Sequence, residues 1–312
     1  MFVLSAVGFF IIGAALAIWA TERLLEGLVS LAFVLRFSAF AVGAVLSGLE
    51  AENIAVGLVA GGRGVAPVAL GTVFGGAIFL VCVALGLAAL LFPLEVQLPR
   101  GVLALFAASP LLAGLTLLGP VTPRWAGVIL LLAFVGAMVY LVQVSRHRQF
   151  LLSKEVAESQ EKQRPLWKAV ALTIFGLIVI GIGGEMVAQG AEQLIAALGV
   201  PALFMGMIVT PAAIELEEVA RQAIPSKRGR HDVSAGNLIG TLLYFVLFNL
   251  GFIALLTPIH VDPLVARLDW PVLILVTWIA TIFLWHGRVG RVAGGLLLLA
   301  YVVYVILHVL LR

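Results

Sequence analysis

Apolar runs of about 17 to 30 residues recur along this whole chain, each long enough to cross a hydrocarbon core of roughly 30 Å as a helix rising 1.5 Å per residue. Only 11% of the 312 residues are charged and 62% are hydrophobic, with mean hydropathy +1.17, whereas soluble domains are about 25% charged. The chain therefore reads as an integral membrane protein, which excludes a soluble enzyme, a nucleic-acid binder and a disordered chain. A transmembrane barrel would alternate in short segments, and none appear. The opening MFVLSAVGFFIIGAALAIWA lacks the basic start of a signal peptide and runs on too long for one, so it is expected to stay as the first span. A single Cys82, inside an apolar run, excludes a disulfide framework or a thiolate metal site.

Polar breaks predict ten helices, near 2–34, 37–62, 66–92, 101–119, 124–144, 168–197, 201–224, 233–257, 270–286 and 289–311. The long polar stretch from Ser145 to Lys168 carries Arg146, Arg148, Lys154, Lys162, Arg164 and Lys168, which assigns it to the cytoplasm by the positive-inside rule. Five spans precede it and five follow, so both termini are expected outside. This topology also accounts for the net charge of +3 without an acidic partner.

Internal repetition decides the fold. Shifting the chain by 165 residues lays Glu50–Gly76 onto Glu215–Thr241 without a gap. Glu50 falls on Glu215, Glu52 on Glu217, Arg63 on Arg228, Gly64 on Gly229, Gly71 on Gly236 and Gly75 on Gly240. Gly27 and Gly190 match at an offset of 163. Chance alignment of apolar helices matches Leu, Ala and Gly, but not paired Glu and Arg. Because the period holds five spans, an odd number, the second half must cross the membrane in the opposite sense. The expected fold is all-α, with two inverted five-helix repeats, residues 1–144 and 168–312, joined by a cytoplasmic linker at 145–167. That is the inverted-repeat architecture of secondary transporters, with a site near the bilayer midplane.

Five of the sixteen acidic residues, Glu50, Glu52, Glu215, Glu217 and Glu218, sit in the two motif copies. A charge at a helix centre costs roughly 2.5–3.5 kcal/mol on insertion scales, so intramembrane carboxylates usually face the bundle interior and bind something. On a continuous helix Glu50 shares a face with Asn53 and Glu215 with Glu218, while Glu52 and Glu217 point elsewhere. Glu50, Asn53, Glu215 and Glu218 then offer oxygens from both halves to one ion, and hard cations such as Ca²⁺ take six to eight oxygens at about 2.3–2.6 Å. His147, His231, His260, His286 and His308 fall in loops or near span ends, so a soft metal is not indicated. Glu217 and Arg221, four apart, can also form an internal ion pair, and Glu52 can serve without ligating. Arg63, Gly64, Arg228 and Gly229 read as turns, and Gly71, Gly75, Gly236 and Gly240 as seams for close helix packing. Asn249 reads as a helix–helix hydrogen bond. Glu185 and Glu192 look peripheral, and Asp232, Asp262 and Asp269 are isolated in or near loops.

The arrangement resembles the Ca²⁺:cation antiporter superfamily of Na⁺/Ca²⁺ and H⁺/Ca²⁺ exchangers, whose two inverted five-helix repeats each carry a motif like GTSLPEL and, about 18 residues on, GNxxGSNxxxN. Span order, AGNLIGT (Ala235 to Thr241) and ALGVPALFMGMIV (Ala197 to Val209) carry the resemblance over nearly the whole chain. Counting back 18 from Gly71 and Gly236 places the family's ion-binding glutamate at Asn53 and Glu218. Its motif serine then falls on Glu50 and Glu215, and its proline on Glu52 and Glu217. The later serine, asparagine and asparagine positions hold Gly76, Ala77 and Leu80 in the first half and Thr241, Leu242 and Phe245 in the second. Those are the side chains that the resemblance would assign to Na⁺.

The sequence thus points to a transporter, not an enzyme, that exchanges a divalent cation, foremost Ca²⁺, for H⁺, with Glu50, Glu52, Asn53, Glu215, Glu217 and Glu218 as its metal-site candidates. Its partners are inorganic cations and the lipid bilayer, in the inner membrane if the cell is bacterial, with no resident cofactor and a monomer as the working unit. Two alternatives keep the fold. One is Na⁺ coupling, with Thr72, Asn237 and Thr241 as ligands. The other is a homologue whose ion site no longer transports. A membrane-embedded enzyme built on Glu217, Glu218 and His231 would need an HExxH or aspartate-rich motif, and neither is present.

Overall fold

The computed structural model describes residues 2–34, 49–145 and 165–311. Its helices are α1 (Phe2–Val34), α2 (Ala51–Gly62), α3 (Ala66–Leu91), α4 (Arg100–Leu117), α5 (Arg124–Ser145), α6 (Leu166–Leu198), α7 (Ala202–Ile214), α8 (Leu216–Lys227), α9 (His231–Leu256), α10 (Val265–Trp285) and α11 (Arg291–Leu310). Among the described residues, eight helices are long and apolar enough to cross a membrane. Large apolar side chains such as Ile11, Leu132, Ile178, Leu275 and Leu299 are exposed on α1, α5, α6, α10 and α11. Apolar surface on that scale suits lipid, not water. The protein is an integral, multi-pass membrane protein, with α3 and α9 packed in its interior.

Local chemistry sets the helix ends. Pro67 stands in the first turn of α3, where its missing N–H costs nothing, and Pro99, Pro165 and Pro201 immediately precede α4, α6 and α7. The turns after α2 and α8 are the same structure twice. Val65 N–H donates to the Ala60 carbonyl at 2.8 Å and Gly64 N–H to Gly61 at 3.1 Å. Arg230 N–H donates to Pro225 at 2.9 Å and Gly229 N–H to Ser226 at 3.0 Å. Gly64 and Gly229 take the left-handed conformation that this cap requires, with φ of 78° and 71°. Their sequence reading as turns holds.

Packing pairs repeat in the same way. α1 lies antiparallel along α6: Phe10 meets Gly190, Gly13 meets Val187, Leu24 meets Gly176 and Gly27 meets Thr173. Gly86 of α3 lies on Gly294 of α11, while Gly251 of α9 lies on Gly127 of α5. The segment after α3 forms strand β1 (Leu94–Glu95), which pairs antiparallel with β2 (Arg288–Val289) just before α11. The segment after α9 pairs through His260 with Val121, just before α5. Both α3 and α9 widen to a π-helical turn at the corresponding place, Leu80–Ala84 and Tyr244–Asn249.

Three sequence expectations need adjustment. The span expected at 201–224 is two helices, interrupted at Glu215, which leaves α geometry with φ −87° and ψ 5°. Of the span expected at 37–62, residues 37–48 lie outside the described residues, and α2 begins only after Glu50, whose φ is −106° and ψ 69°. Asp269, expected in or near a loop, is fully buried at the start of α10. There it accepts a 2.6 Å hydrogen bond from Tyr304 Oη and lies 2.6 Å from His308 Nε2, which satisfies a carboxylate that hydropathy alone could not place.

Candidate functional site

The start of α2 after Glu50 and the interruption at Glu215 position the acidic motifs. Both α2 and α8 start one residue after a glutamate, so Glu50 and Glu215 stand at their N-terminal caps, and Glu52, Glu217 and Glu218 lie in their first turns. The positive end of a helix favours negative charge there by about 0.3–1 kcal/mol each. Desolvation of a buried ion costs several kcal/mol, so the helix ends alone do not stabilise the cluster.

Carboxylate oxygens of Glu50, Glu52 and Glu217 all lie within 4.8 Å of one another. This corrects the expectation that Glu52 and Glu217 point away from Glu50. That expectation takes Glu50 as a helical residue, whereas it precedes the first helical residue of α2, with φ −106° and ψ 69°. Glu52 is fully buried and accepts a 2.6 Å hydrogen bond from Thr21 Oγ1 of α1 at its Oε2. Glu50 is also within electrostatic reach of Glu218 and Glu215, and Glu215 of Glu52, Glu218 and Glu217, with Asn53 beside it. All six candidate residues therefore lie in one neighbourhood drawn from α2, α8 and the break between α7 and α8.

Arg221 joins the two motif copies. Its Nη2 lies 2.7 Å from Glu217 Oε1, the i,i+4 pair that the sequence allows. Its Nη1 also reaches Glu218 Oε1 at 2.8 Å and Glu50 Oε1 on α2 at 3.0 Å. Asn237 Nδ2 of α9 donates to the other Glu218 oxygen at 3.0 Å. The reach to Glu50, 171 positions away, has no signal in the sequence, and neither does the Thr21 hydroxyl.

Several buried oxygens in this neighbourhood have no hydrogen-bond partner among the described residues. They include both oxygens of Glu215, Glu52 Oε1, Asn53 Oδ1, Asn237 Oδ1 and Thr241 Oγ1. Buried polar groups are normally satisfied, and an unpaired buried carboxylate is among the costliest exceptions. A proton or a cation is the chemical complement of such a set. The oxygens are hard donors, the chemistry of Ca²⁺ rather than of a thiophilic metal.

The surrounding residues divide clearly. Gly71 and Gly75 behave as close-packing seams, for a Cβ on Gly71 would fall 1.9 Å from the Gly206 carbonyl oxygen and one on Gly75 2.5 Å from that of Met207. Gly76, at the family's serine position, lies against Glu215, whose Oε1 is 3.4 Å from where its Cβ would stand. Thr72 Oγ1 donates to its own helix at Ala69 O. Asn249 Nδ2 makes a long 3.5 Å bond from α9 to the Glu50 carbonyl. Glu185 and Glu192 are at the surface as expected, where both pair with Arg63.

Comparison with known proteins agrees with this architecture. A family model described as sodium/calcium exchanger protein matches residues 5–143 and 168–310. The putative antiporter CaxA of Alkalimonas amylolytica is 28% identical over 316 residues, covering 96% of this chain and 98% of the relative. The inner membrane protein YrbG of Escherichia coli K12 is 27% identical over 237 residues, covering 72% of this chain and 71% of its own. Among solved structures, the sodium-calcium exchanger NCX_Mj soaked with 10 mM Na⁺ and 10 mM Sr²⁺ superimposes with a TM-score of 0.61 at 21% identity, covering 99% of each chain. That likeness is one of fold.

Proposed function

This chain belongs to the sodium/calcium exchanger protein family, a family of transporters and not of enzymes, and on that premise we propose that it exchanges a divalent cation, foremost Ca²⁺, for H⁺. The observation that carries the reading is the convergence of Glu50, Glu52 and Glu217 within 4.8 Å, beside a Glu215 carboxylate whose two buried oxygens have no hydrogen-bond partner among the described residues. Carboxylates crowded in a low-dielectric site are neutralised either by a metal ion or by protons, and alternation between the two couples the fluxes. Glu50, Glu52, Glu215, Glu217 and Glu218 supply charge, and Asn53 adds an amide oxygen.

The topology that suits this function is ten spans in two inverted repeats, residues 1–144 and 168–312, with 145–167 cytoplasmic and both termini outside. The antiparallel α1–α6 pair, the reciprocal Gly86–Gly294 and Gly251–Gly127 packings and the duplicated cap turns support it. The discontinuity at Glu215 supports a transport site there, since broken helices commonly form such sites. The protein works in the bilayer as a monomer, with inorganic cations as cargo and no resident cofactor.

Coupling to Na⁺ is the second reading. It is favoured by the buried Asn237 Oδ1 and Thr241 Oγ1, which have no hydrogen-bond partner among the described residues. Against it stand Gly76, Ala77 and Leu80, which offer no side-chain oxygen in the first half. Everted vesicles loaded by an imposed pH gradient are expected to accumulate ⁴⁵Ca²⁺. Uptake driven by a Na⁺ gradient and not by a pH gradient would replace the proton scheme by the sodium one.

A further inference from the structure

We propose that Arg221 is a tethered cation that competes with the transported cation for the carboxylates of Glu50, Glu217 and Glu218. The inference rests on the divalent-cation reading above and specifies how that site handles its own charge. The guanidinium lies against three carboxylates at 2.7–3.0 Å, with its own side chain only 11% exposed. Two of the three, Glu50 and Glu217, belong to the trio whose oxygens lie within 4.8 Å of one another. Two of the groups that a divalent ion would take are therefore groups that Arg221 already holds.

Charge and geometry make the competition direct. A metal bound at about 2.3–2.6 Å from these oxygens would face a guanidinium only a few ångströms away, inside a low-dielectric interior where like charges repel strongly. Arg221 has a place to withdraw to. Glu217 is the most exposed of its partners, at 22%, and lies on the same helix at i,i+4, whereas Glu50 and Glu218 are fully buried on either side. Retreat toward Glu217 would free Glu50 and Glu218 for the metal. Return of Nη1 to them would neutralise the cluster once the metal has left, replacing one of the protons otherwise needed.

Formal charge is consistent with this role. Over Glu50–Val56 the first copy has two carboxylates, while over Glu215–Arg221 the second has three carboxylates and Arg221, so each of these stretches carries −2. The position corresponding to Arg221 in the first copy is the buried Val56. The extra acid of the second copy comes with its own cation.

Calcium binding to purified wild-type, Arg221→Lys and Arg221→Gln protein in detergent, by isothermal titration calorimetry at one pH, tests the idea. Removal of the competitor is expected to tighten binding about tenfold in Arg221→Gln, with Arg221→Lys intermediate because an ammonium cannot fork across three carboxylates. Arg63→Gln, which deletes a guanidinium paired at the surface, should stay within about twofold of wild type. If Arg221→Gln does not fold, Arg221→Lys decides alone, with tighter binding supporting the competitor and equal or weaker binding overturning it. Flat or reversed affinities in a folded series overturn the inference while leaving the divalent-cation reading intact. Binding by Arg221→Gln but not by wild type also supports it, and binding by neither overturns both.

Discussion

The two acidic motifs fold alike around their turns and differ where the chemistry is. Residues 60–65 and 225–230 make the same cap with the same hydrogen bonds. One turn earlier the copies diverge: Asn53 corresponds to Glu218 and Val56 to Arg221. The first copy borrows its support from outside the motif, through Thr21 on Glu52, while the second supplies its own through Arg221. The backbone of the turns is the same in both copies, whereas the side chains differ: an amide beside Glu215 in the first, an ion-paired acid in the second.

The largest effect that would sharpen this comparison is on transport. Glu215→Gln removes a buried carboxylate whose oxygens have no hydrogen-bond partner among the described residues, so stability should change little while divalent-cation flux falls at least about a hundredfold, or about 2.7 kcal/mol. A folded variant that keeps wild-type flux would make Glu215 a bystander. Next is the packing between the halves. Gly71→Ala forces a methyl group onto the Gly206 carbonyl and should destabilise by about 2 kcal/mol, whereas Gly62→Ala, with open space around it, should be nearly neutral in thermal unfolding. Equal effects of the two would show that the seam is not tight.

Thr21→Val tests the support of the first copy. Loss of the 2.6 Å hydrogen bond to Glu52 should cost about 1–2 kcal/mol of stability, and calcium should restore part of it, because a metal on Glu52 replaces the lost donor. A calcium-independent loss would separate Glu52 from the ion site. The smallest effect is the most symmetric one. Gly64→Ala and Gly229→Ala should each cost about 1 kcal/mol, and equally, because both positions have positive φ in matching caps with open space around them. A clear difference between the two would break the equivalence of the turns.

Much of this was legible in the sequence because it obeys short-range rules. Hydropathy located the eight long apolar helices among the described residues, and the 165-residue offset found both turns through their Arg-Gly pairs. The site was legible in composition but not in geometry. Helical periodicity carried through Glu50 and Glu215 turns Glu52 and Glu217 away from Glu50, whereas α2 begins only after Glu50 and the helix is interrupted at Glu215. No proline or glycine at Glu215 announces that interruption. Arg221 was visible as a partner of Glu217, four residues away, but its reach to Glu50 depends on how α2 and α8 approach each other. Asp269 was misread for a similar reason, since its partners Tyr304 and His308 lie on another helix.

The central claim is that acids from both motif copies share one divalent ion. An anomalous difference map from crystals soaked in Sr²⁺ tests it most directly. The account predicts a peak within about 2.3–2.7 Å of carboxylate oxygens from Glu50 or Glu52 and also from Glu215, Glu217 or Glu218. A peak ligated by one motif alone, or ions only at the surface near Glu185 and Glu192, would contradict it.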